Sequence, residues 1–366
     1  MSGTVSRGDA GPVGQGGAPL AEPDDGVLVR VDNLVKHFPV HSAGMIRRVA
    51  GHVQAVDGVS LTVRRGQTLG LVGETGCGKS TLARCIAGLI PVTSGTITFD
   101  GHNITNLSRG AMRPFRREIQ MIFQDPYGSL NPRRRVGSII GDPFAVHKTA
   151  SGAARKKAVQ ELMERVGLNP EHYNRFPAEF SGGQRQRIGV ARALALRPKL
   201  IICDEPVSAL DVSIQAQVLN LLSDLQSEFG LSYIFIAHDL EVVRHVSDSV
   251  VVMYLGRLAE TGPEKQVYGQ TRHPYTAALL SAAPAADPDA AAQRRRIILT
   301  GDVPSPINPP SGCRFHPRCP KAQDLCAQTE PQLEVKAGDP DTHRAACHYP
   351  VQEGETLARV AGRERR

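Results

Sequence analysis

The chain has 366 residues, enough for two or three domains and a sizeable hydrophobic core. Hydrophobic residues make up 41% and charged residues 22%, a composition that excludes collagen-like, coiled-coil and wholly disordered proteins. The formal charge of +7 favours an anionic partner, which could be a nucleotide, a nucleic acid or an acidic membrane surface. The sequence shows neither a signal peptide nor an apolar run of roughly 18 to 20 residues, so we expect a chain that stays in the cytoplasm.

The first predicted elements follow a stretch, residues 1–25, that is rich in Gly and Pro and lacks periodicity. We interpret this stretch as a mobile tail. Residues 27–32 and 59–63 have the pattern of half-buried strands, and together they predict a small antiparallel sheet. The segment between them contains Pro39 and Gly51 and is predicted to be a loop.

The central part of the chain alternates predicted strands and helices. Residues 68–72 form a short apolar run, and residues 80–87 follow with helical character. Residues 113–180 are more basic and more helical, which indicates an inserted helical subdomain. Two continuously apolar runs, at 199–203 and 233–237, flank an amphipathic helix and have the pattern of buried parallel strands. This alternation predicts an α/β fold with a parallel sheet.

A Gly-rich motif lies between the strand at 68–72 and the helix that follows it. Residues Gly73 to Ser80 match G-x-x-x-x-G-K-[ST] at every fixed position, in the strand–helix context that supports a phosphate-binding loop. Backbone N–H groups and the helix dipole favour phosphate, Lys79 neutralises its charge, and the Ser80 hydroxyl can bind Mg²⁺. The assigned nucleotide-binding residues are Gly73, Glu74, Thr75, Gly76, Cys77, Gly78, Lys79, Ser80 and Thr81.

Two acidic residues, Asp204 and Glu205, follow the apolar run at 199–203. Ligands of open α/β sheets bind at the carboxyl ends of the strands. Asp204 is therefore predicted to hold Mg²⁺, and Glu205 to polarise the attacking water during ATP hydrolysis. The alternative is an ordinary solvated turn.

A second Gly-rich segment, Ser181, Gly182, Gly183 and Gln184, stands before a predicted helix and offers further N–H donors for phosphate. Ser-Gly-Gly-Gln resembles the signature motif of the ATP-binding cassette (ABC) ATPases. The resemblance implies a P-loop NTPase (RecA-like) core with an N-terminal antiparallel β subdomain and a helical insertion. It also implies that the signature completes the ATP site of a facing subunit, so the chain must pair head to tail with a paralogous ATPase or with itself.

The same resemblance assigns roles to four further residues, which have structural alternatives when read alone. Gln124 resembles the Q-loop residue that touches Mg²⁺ and the lytic water, and His238 resembles the residue that contacts the γ-phosphate. Asp211 resembles a D-loop residue at the dimer interface, although it could simply cap a helix. Phe38 resembles the aromatic residue that stacks on adenine, although aromatic side chains are more often part of a core.

Within this family, longer segments resemble the second ATPase subunit of bacterial oligopeptide/dipeptide importers. They are the residues from Gln124 to Arg133, Glu205 to Ser213, Arg272 to Thr276 and Pro304 to Cys313. The resemblance implies two permeases, an extracytoplasmic peptide-binding protein and a peripheral place on the cytoplasmic face of the membrane. Nickel and glutathione importers are alternatives. A soluble ABC ATPase acting on nucleic acid is a remote one, because the chain has one cassette and no heptad insert; we expect no nucleic-acid partner.

Four cysteines lie in the C-terminal part of the chain, at Cys313, Cys319, Cys326 and Cys347. Four thiolates are enough for a [4Fe–4S] cluster or a tetrahedral Zn²⁺, and they could also be reduced thiols. Their gaps fit zinc pairs poorly, and the resembling importer subunits include ones with an iron–sulfur cluster, so the cluster is our expectation. The predicted domains are a tail at 1–25, an ABC nucleotide-binding domain at 26–283 with its helical subdomain at about 113–185, and a C-terminal module at 284–366.

Overall fold

A computed structural model describes residues 26–41, 49–125, 128–208, 210–282, 297–355 and 357. The predicted tail lies outside these residues. The strands are β1 Val27–His41, β2 Val49–Arg64, β3 Thr68–Val72, β4 Ser94–Phe99, β5 His102–Asn103, β6 Ile119–Ile122, β7 Leu200–Asp204, β8 Ser232–Ala237, β9 Ser249–Tyr254, β10 Arg257–Pro263, β11 Glu334–Val335 and β12 Arg344–Ala345. The α-helices are α1 Lys79–Ile86, α2 Phe115–Glu118, α3 Val136–His147, α4 Gly152–Arg165, α5 Gly182–Leu194, α6 Val212–Phe229, α7 Leu240–Val246, α8 Glu264–Gly269, α9 Pro274–Ala282 and α10 Asp324–Gln328.

The larger sheet has the strand order β11-β12-β10-β9-β3-β8-β7-β6. Strands β9, β3, β8, β7 and β6 run parallel to one another, whereas β10 pairs antiparallel with β9 and β12, and β11 pairs antiparallel with β12. Every residue of β3, β7 and β8 is buried, because helices cover the middle of the sheet on one face and the smaller sheet covers the other. This burial on both faces explains their continuously apolar sequences.

Alternation along these strands divides the hydrophobic core into two layers. In β7, for example, Ile201 and Cys203 face the layer that holds α3, α5 and α6, whereas Leu200 and Ile202 face the layer that holds α1 and the smaller sheet. The two layers follow from the period of two that a strand imposes on its side chains. None of the described helices combines the length and apolarity needed to cross a bilayer.

The smaller sheet is antiparallel, in the order β2-β1-β4-β5. The helical insertion consists of α3, α4 and α5, whose buried residues Ile140, Val159, Met163 and Ile188 belong to one core. The predicted α/β class, N-terminal antiparallel sheet and helical insertion are thus confirmed. The C-terminal strands β11 and β12 join the larger sheet through β10, where Glu260 pairs with Ala345.

Candidate functional site

The phosphate loop connects β3 to α1 and depends on glycine at two close approaches. Gly78 has a φ of 110°, and a Cβ there would lie 2.0 Å from the carbonyl oxygen of Ala55. Gly73 has a φ of 152°, and a Cβ there would lie 2.1 Å from the carbonyl oxygen of Met253. No other residue fits these positions without moving the backbone, so the glycines let the loop close over β2 and β9.

Lys79 begins α1 with its side chain folded back against the loop. Its Nζ donates to the carbonyl oxygens of Gly73, at 2.7 Å, and Glu74, at 3.0 Å. Lys79 is buried, as is Cys77, whose pKa is raised by burial. Two fixed hydrogen bonds hold the ammonium group within the curve of the loop, where phosphate would need a cation.

The next residue of α1 faces the end of β7. Ser80 Oγ donates a hydrogen bond to Asp204 Oδ1 at 2.8 Å, and a guanidinium nitrogen of Arg84 lies 4.0 Å from Asp204 Oδ2. Burial raises the pKa of Asp204, which the Ser80 hydrogen bond and the Arg84 charge only partly offset. A hydroxyl and a carboxylate side by side are the hard oxygen ligands that Mg²⁺ prefers, so these residues fit the ion.

Three more predicted residues meet beside Asp204. Gln124 Nε2 donates to Glu205 Oε2 at 2.7 Å, and His238 Nδ1 lies 3.6 Å from the same oxygen. Glu205 holds a left-handed φ of 47°, and its N–H donates to the carbonyl oxygen of Ile236 in β8. We call Gly73–Thr81 together with Gln124, Asp204, Glu205 and His238 the phosphate edge, because all of them lie at the carboxyl ends of adjacent parallel strands.

The signature residues form a separate surface. Ser181 caps α5: its Oγ accepts from the N–H of Gln184 at 3.4 Å, while the Gln184 side chain accepts from the N–H of Ser181 at 3.1 Å. Both side chains are exposed, and Gly183 packs against Ile214 at the start of α6. Within the described residues, no hydrogen bond or ion pair joins Ser181–Gln184 to the phosphate edge, so the chain does not unite the two motifs.

Phe38 and Asp211, the other two residues whose predicted roles have structural alternatives, lie in different surroundings. Phe38 lies on β1 with 37% of its surface exposed, and the Lys36 ammonium stands 4.7 Å from its ring centroid. Phe38 is thus outside the core and accessible. Asp211 stands at the N-cap position of α6, but its side chain makes no capping hydrogen bond and is exposed; its carbonyl oxygen accepts instead from Ile214 and Gln215.

Sequence reasoning missed a contact between the phosphate loop and the C-terminal part of the chain. The N–H of Glu74 donates to Tyr275 Oη at 2.7 Å, and the Glu74 carboxylate accepts from Arg318 at 2.7 and 3.1 Å. Arg318 lies 244 positions from Glu74, so no local pattern could have indicated the pair.

The iron–sulfur prediction for the four cysteines is wrong. Cys313, Cys319, Cys326 and Cys347 do border one small pocket, which we call the cysteine pocket. However, no group of three or more His, Cys, Asp or Glu side chains in the described ranges is arranged to hold a metal ion, which excludes the zinc alternative as well. Burial raises the pKa of Cys319 to about 12 and that of Cys347 to about 11, which favours the protonated thiol over the thiolate.

Comparisons with known proteins agree with this geometry. The family model "ABC transporter" matches residues 56–208, and the model "Oligopeptide/dipeptide transporter, C-terminal region" matches residues 259–326. The chain is 52% identical to the oligopeptide transport ATP-binding protein AppF of Bacillus subtilis, over 88% of this chain and 97% of that protein. It is 53% identical to OppF, the oligopeptide transport ATP-binding protein of Salmonella typhimurium, over 84% and 93%.

Solved structures show the same fold. The cbiO1 protein of Clostridium perfringens, part of the ABC transporter complex cbiONQ, is 28% identical with a TM-score of 0.58 and covers 67% of this chain and 92% of its own. A dimeric ATP-binding cassette bound to ADP and Pi is 27% identical with a TM-score of 0.57, over 65% and 99%. The chain therefore belongs to the ATP-hydrolysing subunits of the ABC transporter family, in its oligopeptide/dipeptide branch.

Proposed function

We propose that this chain hydrolyses ATP to drive the import of di- and oligopeptides through a membrane complex. The names of its relatives support this substrate class. The observation that carries the proposal is the Glu205 carboxylate, held 2.7 Å from Gln124 Nε2 at the sheet edge where the phosphate loop also ends. A carboxylate fixed beside a phosphate cradle is what polarisation of an attacking water requires.

Each residue of the phosphate edge then has a part in the reaction. Lys79 and the N–H groups of the loop bind the β- and γ-phosphates of ATP. Ser80 and Asp204, with Gln124, would hold Mg²⁺, which when bound neutralises charge on the phosphates. Glu205 orients and polarises the water, and His238, 3.6 Å from the same carboxylate, contacts the γ-phosphate.

The active unit in this proposal is a head-to-tail dimer with a paralogous ATPase subunit or a second copy. Ser181, Gly182, Gly183 and Gln184 complete the ATP site of the facing subunit, and Asp211 lies at the contact. The exposure of Ser181, Gln184 and Asp211 supports this arrangement, as does the absence, within the described residues, of a hydrogen bond or ion pair from Ser181–Gln184 to the phosphate edge. The dimeric relative bound to ADP and Pi supports it too. Phe38, exposed on β1, is the proposed platform for adenine.

A groove between the larger sheet and the helical insertion is the proposed contact for two permease subunits at the cytoplasmic face of the membrane. It is lined by exposed Phe123, Gln124 and Val146 and by the cation Arg192. Gln124 therefore belongs both to the groove and to the phosphate edge. A permease segment in this groove would sense the state of the ATP site directly, and an extracytoplasmic binding protein would deliver the peptide.

Uptake by membrane vesicles that contain the chain, its permeases and the binding protein tests the function. We expect ATP-dependent uptake of a labelled tripeptide that Lys79→Ala abolishes and that Glu164→Gln, at an exposed position on α4, leaves unchanged. Peptide should also stimulate ATP hydrolysis. Uptake of Ni²⁺ or glutathione with no uptake of peptide would assign a different substrate, and salt-sensitive DNA binding without uptake would contradict transport.

A further inference from the structure

Glu74 is an acidic residue in a loop that binds an anion. It is the second residue of the phosphate loop, and its carbonyl oxygen accepts from Lys79. A carboxylate there would repel the phosphates of ATP unless a cation compensated it. The structure supplies that cation from the C-terminal part of the chain, because both terminal nitrogens of Arg318 donate to the Glu74 carboxylate.

Arg318 is itself firmly held. Its side chain is 9% exposed, its guanidinium carbon lies 6.0 Å from the centroid of the Tyr254 ring, and one nitrogen lies 3.4 Å from Tyr254 Oη. Burial alone would lower the pKa of Arg318, but the hydrogen bonds to Glu74 and Tyr254 raise it above its ordinary value. The pair is therefore a bidentate, charge-assisted contact, which is the strong kind of hydrogen bond.

The segment that carries Arg318 packs along the elements beside the phosphate loop. Phe315 stands 5.2 Å from Tyr254 and 5.3 Å from Tyr275 between ring centroids. Arg314 donates to the carbonyl oxygen of Leu255 at 2.6 Å and pairs with Asp57 of β2. These anchors fix the guanidinium of Arg318 before any nucleotide binds. Its pairing with the Glu74 carboxylate therefore requires no further loss of side-chain entropy when ATP binds.

We propose that Arg318 is a positioning residue for ATP binding: it neutralises and orients Glu74, so that the C-terminal segment sets the affinity of the phosphate loop. This inference rests on the proposed function, because it takes ATP to be the ligand of the loop. Arg318 does not touch the nucleotide in this account. It acts through the Glu74 carboxylate alone, so removing that carboxylate should also remove the effect of losing Arg318.

The test measures binding of a fluorescent ATP analogue with Mg²⁺ to the full-length chain. Arg318→Gln is expected to weaken binding about tenfold, the effect of losing one charge-assisted pair, and the loss should shrink as salt rises. In a Glu74→Gln background the Arg318→Gln substitution should have no further effect, so the double variant should bind ATP as Glu74→Gln alone does. Arg344→Gln, an exposed arginine on β12, is the matched control.

A purely structural role gives a different pattern. Unchanged binding by Arg318→Gln would overturn the inference, and so would a double variant that binds more weakly than Glu74→Gln alone, since the defect would not pass through Glu74. Should Arg318→Gln fail to fold, Arg318→Lys keeps the charge but loses the bidentate contact, so it should weaken binding by less than about tenfold, and Glu74→Gln should remove that loss. A wild-type chain that binds no ATP would instead refute the proposed function.

Discussion

The phosphate edge and the cysteine pocket hold their polar groups in opposite ways. At the phosphate edge, Lys79, Ser80 and Glu205 all have hydrogen-bond partners that keep them oriented. In the cysteine pocket, burial dominates, and Phe315 and neutral His273 line the same space. Hydrogen-bond partners keep a polar group in its reactive form, whereas burial without a charged partner favours its neutral form.

The largest expected effect lies at the phosphate edge. Glu205→Gln should lower ATP hydrolysis about 10³-fold, because an amide cannot polarise the water, while ATP binding stays intact. Steady-state hydrolysis in the assembled complex measures the loss, with Glu164→Gln on the surface of α4 as control. Hydrolysis within tenfold of the wild type would mean that another residue is the base.

The cysteine pocket should be chemically inert. With a pKa of about 12 for Cys319 and about 11 for Cys347, alkylation of the native chain near pH 8 should be about 100-fold slower than that of a free thiol. Unfolding in urea should remove the difference. Mass spectrometry of the labelled peptides follows the rate, and metal analysis of the purified chain should find no stoichiometric iron or zinc. Fast labelling of the native thiols would contradict the conclusion that burial keeps the cysteines of this pocket protonated and unreactive.

His273, beside the cysteine pocket, should make stability depend on pH. Burial lowers its pKa to about 3 from 6.5, and its Nδ1 accepts from the N–H of Tyr275. Its contribution is therefore complete above pH 6.5 and is lost as pH falls towards 3, because the unfolded chain binds the proton first. Between pH 6.5 and 5 the expected loss is about 2 kcal/mol in the free energy of unfolding.

Urea unfolding across this range checks the slope. His273→Asn keeps a polar group that can accept the Tyr275 hydrogen bond and removes the titration, so the variant should lose less stability than the wild type as pH falls. His102→Asn, an exposed histidine on β5, is the control and should keep the wild-type slope. Equal slopes for all three proteins would refute the assignment.

The smallest change is expected for Ser181→Ala, which tests whether the signature motif is independent of the phosphate edge of the same chain. Ser181→Ala removes one cap of α5 and should cost about 1 kcal/mol in the free energy of unfolding. ATP binding by the isolated chain should stay within about twofold, since Ser181 forms no hydrogen bond with the phosphate edge in the described residues. Ser213→Ala, exposed near the start of α6, is the control. A clear fall in the ATP affinity of the isolated Ser181→Ala variant would contradict the separation of the signature motif from the phosphate edge of the same chain.

Local patterns predicted most of the larger sheet, but the strands that they predicted for the smaller sheet were too short. The segment with Pro39 and Gly51 was predicted to be a loop, whereas β1 continues through Pro39 to His41 and pairs with β2. This is possible because β4 pairs with β1 only as far as Val35. Beyond that point β1 has a single neighbour, which makes it an edge strand, the position in a sheet where Pro is tolerated.

The candidate site divides in the same way. Gly73–Ser80 is contiguous, and its loop geometry follows from glycine and the strand–helix context, so sequence located it. The cysteines lie in irregular segments, where spacing says little about where sulfur atoms point. The Glu74–Arg318 pair depends on the fold of the whole chain. The domain boundaries and the roles of individual site residues remain predictions.

In the proposed dimer, ATP is enclosed between the phosphate loop of one subunit and the signature motif of another. A photoreactive amino acid in place of Ser181, in a Glu205→Gln background with ATP, tests it most directly when isotopically heavy and light subunits are mixed. We predict an ATP-dependent crosslink from position 181 to the phosphate loop of a different subunit, which is Gly73–Thr81 where that subunit is a second copy and the equivalent loop where it is the paralogous ATPase. A crosslink confined to one chain, or one that is independent of ATP, would contradict the account.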